Sequence, residues 1–424
     1  MSQSIKREYD AMNAPLPDID TLPLDAIDVS EATLYQQDIW RPYFARLRAE
    51  DPVHWSENQL FGGFWSVTRF EDITAVDGNH EAFSSEPAIT IGDYGDDLPV
   101  RQFIAMDPPL HDVQRAAVQG VVAPRNLADL EGLIRQRVAD ILDHLPTGET
   151  FNWVEEVSIN LTTQMLATIF DFPFEDRHKL PYWSDMATSL PEATGSDGDV
   201  DERTAALQEC LGYFTELWHQ RKNNPPDTMD LISLLATNPD TRDMVDNPLE
   251  YLGNLILLIV GGNDTTRNSI TGGVLALNQY PDEYAKLRAD PSLIPSMVSE
   301  IIRWQTPLMH MRRIATRDVE LGGKTIRQGD KVVMWYLSGN HDETAIERPD
   351  DFIIDRKNPR YHLSFGFGIH RCMGNRLGEM QLRILWEEIL KRFSHVEVVG
   401  KPERVLSNFV RGFSQLMVRL HPLD

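Results

Sequence analysis

One stretch constrains this chain more than any other: Phe365-Gly366-Phe367-Gly368-Ile369-His370-Arg371-Cys372-Met373-Gly374, followed by Leu377, Met380, Ile384 and Leu385 at amphipathic-helix spacing. Glycines on both sides of the sulfur permit tight turns and close backbone approach, as they would if amide N–H groups converged on a thiolate. A loop of this kind suits an axial metal ligand. An isolated cysteine is more often a buried free thiol. With Phe365, Gly368, His370 and Gly374 all in place around Cys372, that alternative keeps only a small share. The only other cysteine is Cys210, so a disulfide scaffold, a four-cysteine zinc site and an iron–sulfur cluster on four cysteines are all excluded.

The chain has ample material to bury such a loop: 424 residues, 42% of them hydrophobic. Most of the middle is helical by period, with apolar stripes at Leu130, Ile134, Val138, Ile141 and Leu145 and at Leu207, Leu211, Phe214 and Trp218. Residues 40–48 read as a short helix. Asp107-Pro108-Pro109 reads as an N-cap with proline in the first turn, opening a helix that carries His111 and Arg115. Val53 and Trp55 alternate with Trp65 and Val67 around Gly62-Gly63, a hairpin signal. Short strands are expected at 319–333, around Gly322-Gly323 and Gly329-Asp330, and again in the tail at 396–420. Residues 191–201 read as a polar connection between helices, and 83–100 as a long loop of the kind used as a lid or binding loop. The expectation is a mainly α protein with small β-sheets: an extended surface arm over residues 1–34, then a single domain over 35–424.

Charge removes whole function classes. Forty Lys and Arg against 65 Asp and Glu leave a net charge of −25, a field that repels phosphate polymers, so no nucleic-acid partner is expected. The opening residues alternate charge with proline and give no secretory signal. The longest apolar run, near residues 255–260, is far short of the roughly 20 residues a membrane span needs, so a cytoplasmic protein is expected. Several familiar motifs fail on inspection. Gly322-Gly323-Lys324-Thr325 has Asp318 where a phosphate loop needs its first glycine, and Gly366-Phe367-Gly368 has Arg371 where a dinucleotide turn needs its third. Neither Gly-x-Ser-x-Gly nor His-Glu-x-x-His occurs, and hydrolase and kinase readings lose their support.

The cysteine loop is similar to the haem-binding signature of the cytochromes P450, and the chain resembles that family from about Trp40 to its C-terminus. Distant segments carry the same resemblance. In Leu255-Ile256-Leu257-Leu258-Ile259-Val260-Gly261-Gly262-Asn263-Asp264-Thr265-Thr266, an apolar helix holds two glycines and then an acid–alcohol pair. Two mid-helix glycines cost roughly 2 kcal/mol relative to alanine, and a carboxylate in so apolar a segment costs more unless something uses it. A kinked helix with a C-terminal cap would explain the glycines alone. The resemblance implies instead a local opening at Gly261 and Gly262 where dioxygen sits, with Thr265 as hydrogen-bond partner and Asp264 as proton source. Glu300-Ile301-Ile302-Arg303 matches the family's buried structural pair, Glu300 with Arg303, locked to a later segment such as Glu347-Arg348-Pro349. For the two propionates of haem b, which need partners when buried, the matching positions are His111, Arg115, Arg312 and His370, with Arg313 a close rival to Arg312. Phe365, Cys372 and Gly374 complete the cofactor set. Cys372 is then the axial ligand of the iron, and the haem lies between the oxygen-binding helix and the cysteine loop.

The resemblance implies a monooxygenase that inserts one atom of O2 into an unactivated C–H bond. Electrons would come from NAD(P)H through a ferredoxin reductase and a ferredoxin, because no flavin-reductase motif is present. Gly262-Asn263-Asp264-Thr265-Thr266-Arg267-Asn268-Ser269, Arg303-Trp304-Gln305-Thr306-Pro307 and His362-Leu363-Ser364-Phe365-Gly366-Phe367-Gly368-Ile369-His370 are similar to the corresponding stretches of bacterial alkane terminal hydroxylases. That implies terminal hydroxylation of medium-chain alkanes or fatty acids. A hydroxylase of terpenoids, steroids or other hydrophobic small molecules shares every motif and stays open, whereas a non-catalytic haem-thiolate sensor would not need Asp264 and Thr265. Candidate substrate contacts are Ile89, Ile91, Leu98, Leu257, Leu258, Leu308, Met309 and Phe413. Arg125, Arg371 and Arg376 are the candidate basic patch for a ferredoxin that the average charge otherwise repels.

Overall fold

The apolar run near residue 255 becomes the axis of the molecule. Its helix, Pro248–Gln279, has proline in the first turn, where a missing N–H leaves no bond unmade, and continues for 32 residues. That is about 48 Å of helix. Apolar on nearly every side, it has to be covered on every side. Helices Asn160–Phe170, Lys179–Thr188, Asp197–Asn223, Ile294–Gln305 and Asn375–Arg392 pack around it. The computed structural model describes residues 19–92, 100–188, 197–224 and 230–423.

The helical stripes turn inward as their period requires. Ile134, Val138 and Ile141 of Pro124–Asp143, and Leu207, Phe214 and Trp218 of Asp197–Asn223, share one core with the central helix, while Leu130, Leu145 and Leu211 pack half-buried against it. The β part is small. A five-stranded sheet runs in the order Val53–Asn58, Gly62–Val67, Lys331–Met334, Met311–Ala315, Phe83–Ser84. Only the second and third of these are parallel. Thr150–Asn152, Met417–Pro422 and Phe393–Val398 form a second sheet, and Val319–Leu321 with Lys324–Ile326 and Glu403–Arg404 with Phe413–Gln415 form two-stranded pairs. The first hairpin turns at residues 59–61, ahead of the expected Gly62-Gly63. Asn58 Oδ1 accepts the N–H groups of Leu60 and Phe61 at 2.8 and 2.9 Å and closes the chain there.

Two expectations fail for physical reasons. From Ile19 onward the N-terminal segment is no surface arm: Ile27, Val29 and Leu34 are 1% exposed or less and share an apolar cluster with Trp40, Phe44 and Trp335. No boundary falls between residues 34 and 35, and residues 1–18 lie outside the described residues. Asp107 does not cap the helix Leu110–Val118, because its carboxylate is taken by the Ser84 hydroxyl and by the Ser85 N–H at 3.0 Å. Of the connection expected at 191–201, residues 191–196 lie outside the described residues and the chain is helical from Asp197. No helix among the described residues is long and apolar enough to cross a membrane.

Candidate active site

The cysteine loop is shaped before its helix begins. Gly366 and Gly368 adopt φ of +67° and +68°. A Cβ on Gly368 would stand 2.4 Å from the Asp77 carbonyl oxygen, so glycine alone fits. The buried Asp77 carboxylate accepts the Phe367 N–H at 2.8 Å and the Tyr336 hydroxyl at 2.7 Å, and it pairs with Arg313 at 2.7 Å. The loop is thereby pinned to the end of the Phe70–Asp77 helix and to the sheet. The Cys372 N–H donates to the Phe365 carbonyl at 2.8 Å, and the helix Asn375–Arg392 follows. Burial pushes the Cys372 thiol up, against the N–H groups of Gly374 and Asn375 and the charges of Arg115 and Arg371, which favour a thiolate. The residue lies within the fold and still keeps accessible surface, as a sulfur that meets a ligand must.

Three elements bring basic groups to this loop. The His111 ring, on the helix Leu110–Val118, lies 4.3 Å from the His370 ring between centroids, and Arg115 one turn on donates to the Arg371 carbonyl. Burial pushes His370 down to about 2, and Arg313, His111, Arg115 and His80 reinforce it. Neither ring nitrogen of His370, nor Nε2 of His111, has a hydrogen-bond partner although all are buried. Buried nitrogens without partners are costly, and the two propionates of a haem would supply the acceptors. Arg312 is placed elsewhere. Successive side chains on a strand point to opposite faces, and its Nη1 donates to the carbonyls of Ile91 and Gly92 at 3.2 and 3.4 Å. The structure thus brings Arg313, not Arg312, beside His370. Asp77, His80 and Tyr336 belong to this arrangement too, and no motif or period in the sequence marks them.

On the central helix the expected opening is not formed: the helix is continuous through Gly261 and Gly262. Thr265 Oγ1 donates to the Gly261 carbonyl at 2.9 Å, a bond that leaves the helical ladder intact. Space comes instead from missing side chains. Nothing lies within 4 Å of where a Gly261 Cβ would stand, whereas a Cβ on Gly262 would meet Leu166 at 2.7 Å. Leu257, Leu258, Gly261 and Thr265 form an accessible stripe, and Ile256, Val260 and Gly262 beside it also keep accessible surface. Asp264, next to Thr265, is fully buried. Its Oδ1 takes Arg267 at 2.8 Å and Asn263 at 3.2 Å, and its Oδ2 takes the Ser184 hydroxyl at 3.2 Å. Arg267 also pairs with the partly exposed Asp185 at 2.5 Å. Burial raises the Asp264 carboxyl to about 6, with Arg267 holding it from rising further. A carboxyl that changes protonation near neutral pH is suited to moving protons. The cysteine helix docks against this segment, a Cβ on Gly378 standing 3.8 Å from Thr266 Oγ1.

Glu300 and Arg303 form a buried two-bond pair, both bonds at 2.8 Å. The lock is Arg356, whose Nε meets Glu300 at 2.9 Å. Arg348 instead turns outward to Asp351, and residues 347–349 contribute only carbonyls, which accept from Arg303 and Arg356. Among the substrate candidates, Leu257, Leu258 and Leu308 keep accessible surface. Ile91 and Met309 do not: both pack around Trp335, and Phe413 is covered by the Arg404 guanidinium. Ile89 packs into the cluster under the five-stranded sheet. These four are core residues, and Leu98 lies outside the described residues.

A family model described as Cytochrome P450 matches residues 123–417. The chain is 35% identical over 410 residues to a linalool 8-monooxygenase of Pseudomonas putida, an overlap covering 93% of this chain and 99% of that one. It is 32% identical over 420 residues to a methyl-branched lipid omega-hydroxylase of Mycobacterium tuberculosis, covering 95% of each. Among solved structures, Cytochrome P450-153 from Novosphingobium aromaticivorans is 45% identical and superposes with a TM-score of 0.87, covering 93% of this chain and 99% of that one. Near full-length relatives, a shared fold and an intact cysteine loop lead to one conclusion: this chain belongs to the cytochrome P450 family and is a monooxygenase with haem b as its cofactor.

Proposed function

We propose that this cytochrome P450 hydroxylates the terminal carbon of medium-chain alkanes or fatty acids. The observation that carries the reading is the accessible stripe of the central helix, where Leu257 and Leu258 lead along one face to Gly261 and Thr265. An apolar surface that ends at a hydroxyl suits an extended chain presenting its end. Likeness to a lipid omega-hydroxylase supports this reading, and likeness to a linalool monooxygenase keeps terpenoids as the second.

Each residue then has a task. Cys372 would hold the iron from the loop side, His111 and His370 would hold the propionates through ring nitrogens that otherwise lack partners, and Arg115 and Arg313 add positive charge beside them. Haem, when bound, supplies the oxidising chemistry, activating O2 for insertion into a C–H bond. Thr265 offers a hydroxyl on the accessible face to orient an oxygen or a water. Asp264, one residue earlier and buried, supplies protons from behind it. Leu257, Leu258 and Leu308 confine the chain and keep water from it.

Electrons enter from a ferredoxin served by an NAD(P)H-dependent reductase, in the cytoplasm. Arg125, Arg371 and Arg376 are exposed. The apolar side chains of Leu110, Val113 and Phe367 are exposed on the same helix and loop that hold His111 and Cys372. Charge reversal at the three arginines should slow reduction and reduce its salt dependence without changing substrate binding. The function itself is tested by incubating haem-loaded enzyme, ferredoxin, reductase and NAD(P)H with octane, decanoic acid, linalool and a steroid, and identifying products by mass spectrometry. Primary alcohol or ω-hydroxy acid is the expected result. Oxidation of linalool or the steroid alone would move the assignment to the second reading, and no product from a reducible enzyme would favour a sensor.

A further inference from the structure

The accessible stripe has an end, and the end is built of polar groups. Counting back from Thr265 in steps of four, three and four gives Gly261, Leu258 and Asn254, all on one helix face. The first three keep accessible surface, whereas Asn254 is 1% exposed. Two other elements close over it. Asn254 Oδ1 accepts the Phe103 N–H at 2.9 Å, ahead of the helix Leu110–Val118. Its Nδ2 donates at 2.9 Å to Gln114 Oε1, on the helix that carries His111 and Arg115. Gln114 Nε2 donates in turn to Glu250 Oε1 at 2.7 Å, one turn back on the central helix. Gly253 lets the chain come down this far: a Cβ there would stand 2.1 Å from the Arg101 carbonyl oxygen, and the Arg101 N–H reaches the Leu249 carbonyl at 3.4 Å.

We propose that this clamp, Asn254 with Phe103, Gln114 and Gly253, is the end wall of the substrate channel and sets the chain length the enzyme accepts. The inference rests on the reading of an extended apolar substrate lying along the stripe. Seven residues separate Gly261 from Asn254, about 10 Å along the helix axis. A chain whose reacting end lies at Gly261 and Thr265 meets the clamp with its other end. A longer chain has to push Phe103 away and leave the Phe103 N–H and Asn254 Oδ1 buried without each other, a cost that grows abruptly at one length.

The test uses haem-loaded protein and 1-alkylimidazoles of increasing length, which attach to the iron through the imidazole and lay the alkyl tail in the channel whatever the natural substrate is. Affinity, read by optical titration, should rise with each added carbon in wild type and then break at a definite length. Asn254→Ala should move the break to tails at least two carbons longer, with a tenfold or larger gain for long tails relative to short ones. Gly253→Ala, which keeps Asn254 but lifts Arg101, should move it the same way, and hydrogen exchange at residues 101–103 should quicken in both. If Asn254→Ala does not hold haem, Gly253→Ala decides alone. No break in wild type, an unmoved break in the variants, or a uniform loss of affinity at every length would overturn the proposal, the last being what a purely structural role gives. Failure of the aliphatic reading shows separately, as absence of terminal alcohol in the product assay.

Discussion

Replacing Asp264 by Asn separates a proton's departure from the shape of the group that carries it. Burial raises the Asp264 carboxyl from 3.8 to about 6. Between those values the native state holds a proton that the unfolded state has lost. Stability from this group is therefore full below pH 3.8 and declines as pH rises, until the carboxyl ionises in the fold as well. Two pH units correspond to roughly 3 kcal/mol, of which about 2 kcal/mol develops between pH 4 and pH 7. The amide keeps the shape and can still bond Ser184, but it cannot titrate. Urea unfolding of both haem-loaded proteins, compared at each pH, cancels what they share. The variant should gain about 2 kcal/mol relative to wild type from pH 4 to pH 7, whatever its offset from the weakened contact with Arg267. Turnover should fall in the same variant, with product formed per NAD(P)H less affected, because proton supply has slowed. A stability difference that stays flat with pH would show that Asp264 is an ordinary carboxylate in the fold, and the assignment of proton supply to it would lose its basis.

Thr265→Ala should bind haem and substrate and still consume NAD(P)H, releasing much of the reducing power as peroxide. Product and peroxide measured per NAD(P)H check this, and full coupling would contradict it. Glu300→Gln should destabilise by about 3–5 kcal/mol, as breaking one side of a buried ion pair does, because Arg303 and Arg356 both converge on Glu300. Chemical denaturation reads the loss, and a change under about 1 kcal/mol would mean the pair is dispensable. Arg313→Ala should speed haem transfer to apomyoglobin far more than Arg312→Ala, since Arg313 lies beside His370 and Arg312 faces Ile91 and Gly92. The reverse order would restore Arg312 to the cofactor site.

What could be read from the residue order follows from how local each requirement is. A loop that must point amides and a sulfur at one place within ten residues writes its glycines close together, so Phe365, Gly368, Cys372 and Gly374 were legible. So were the apolar stripes at Leu130 to Leu145 and at Leu207 to Trp218, which a helical period spells out. Arg312 and Arg313 are adjacent, and only the phase of the strand Met311–Ala315 decides which one faces His370. Apolar identity does not say which way a residue points, so Ile91, Met309 and Phe413 read as channel and sit in the core. Asp77 is more than 280 residues from the loop it pins, and Arg356 is 56 residues from Glu300. Contacts of that kind leave no local pattern. The segment that begins at Ile19 misled for a related reason: its few apolar residues are scattered among Asp and Pro, and only tertiary packing collects them around Trp40 and Trp335.

The most direct test is the spectrum of the reduced carbon monoxide complex of haem-loaded protein, recorded for wild type, Cys372→Ser and Cys210→Ser. Cys210 is buried among helices, and burial pushes its thiol up, so it is no candidate for a thiolate ligand. Wild type and Cys210→Ser should both show the thiolate-ligated absorption band, and Cys372→Ser should lose it. A Cys372→Ser protein that keeps the band, or a Cys210→Ser protein that loses it, would contradict the assignment of Cys372 as the ligand on which the whole site is built.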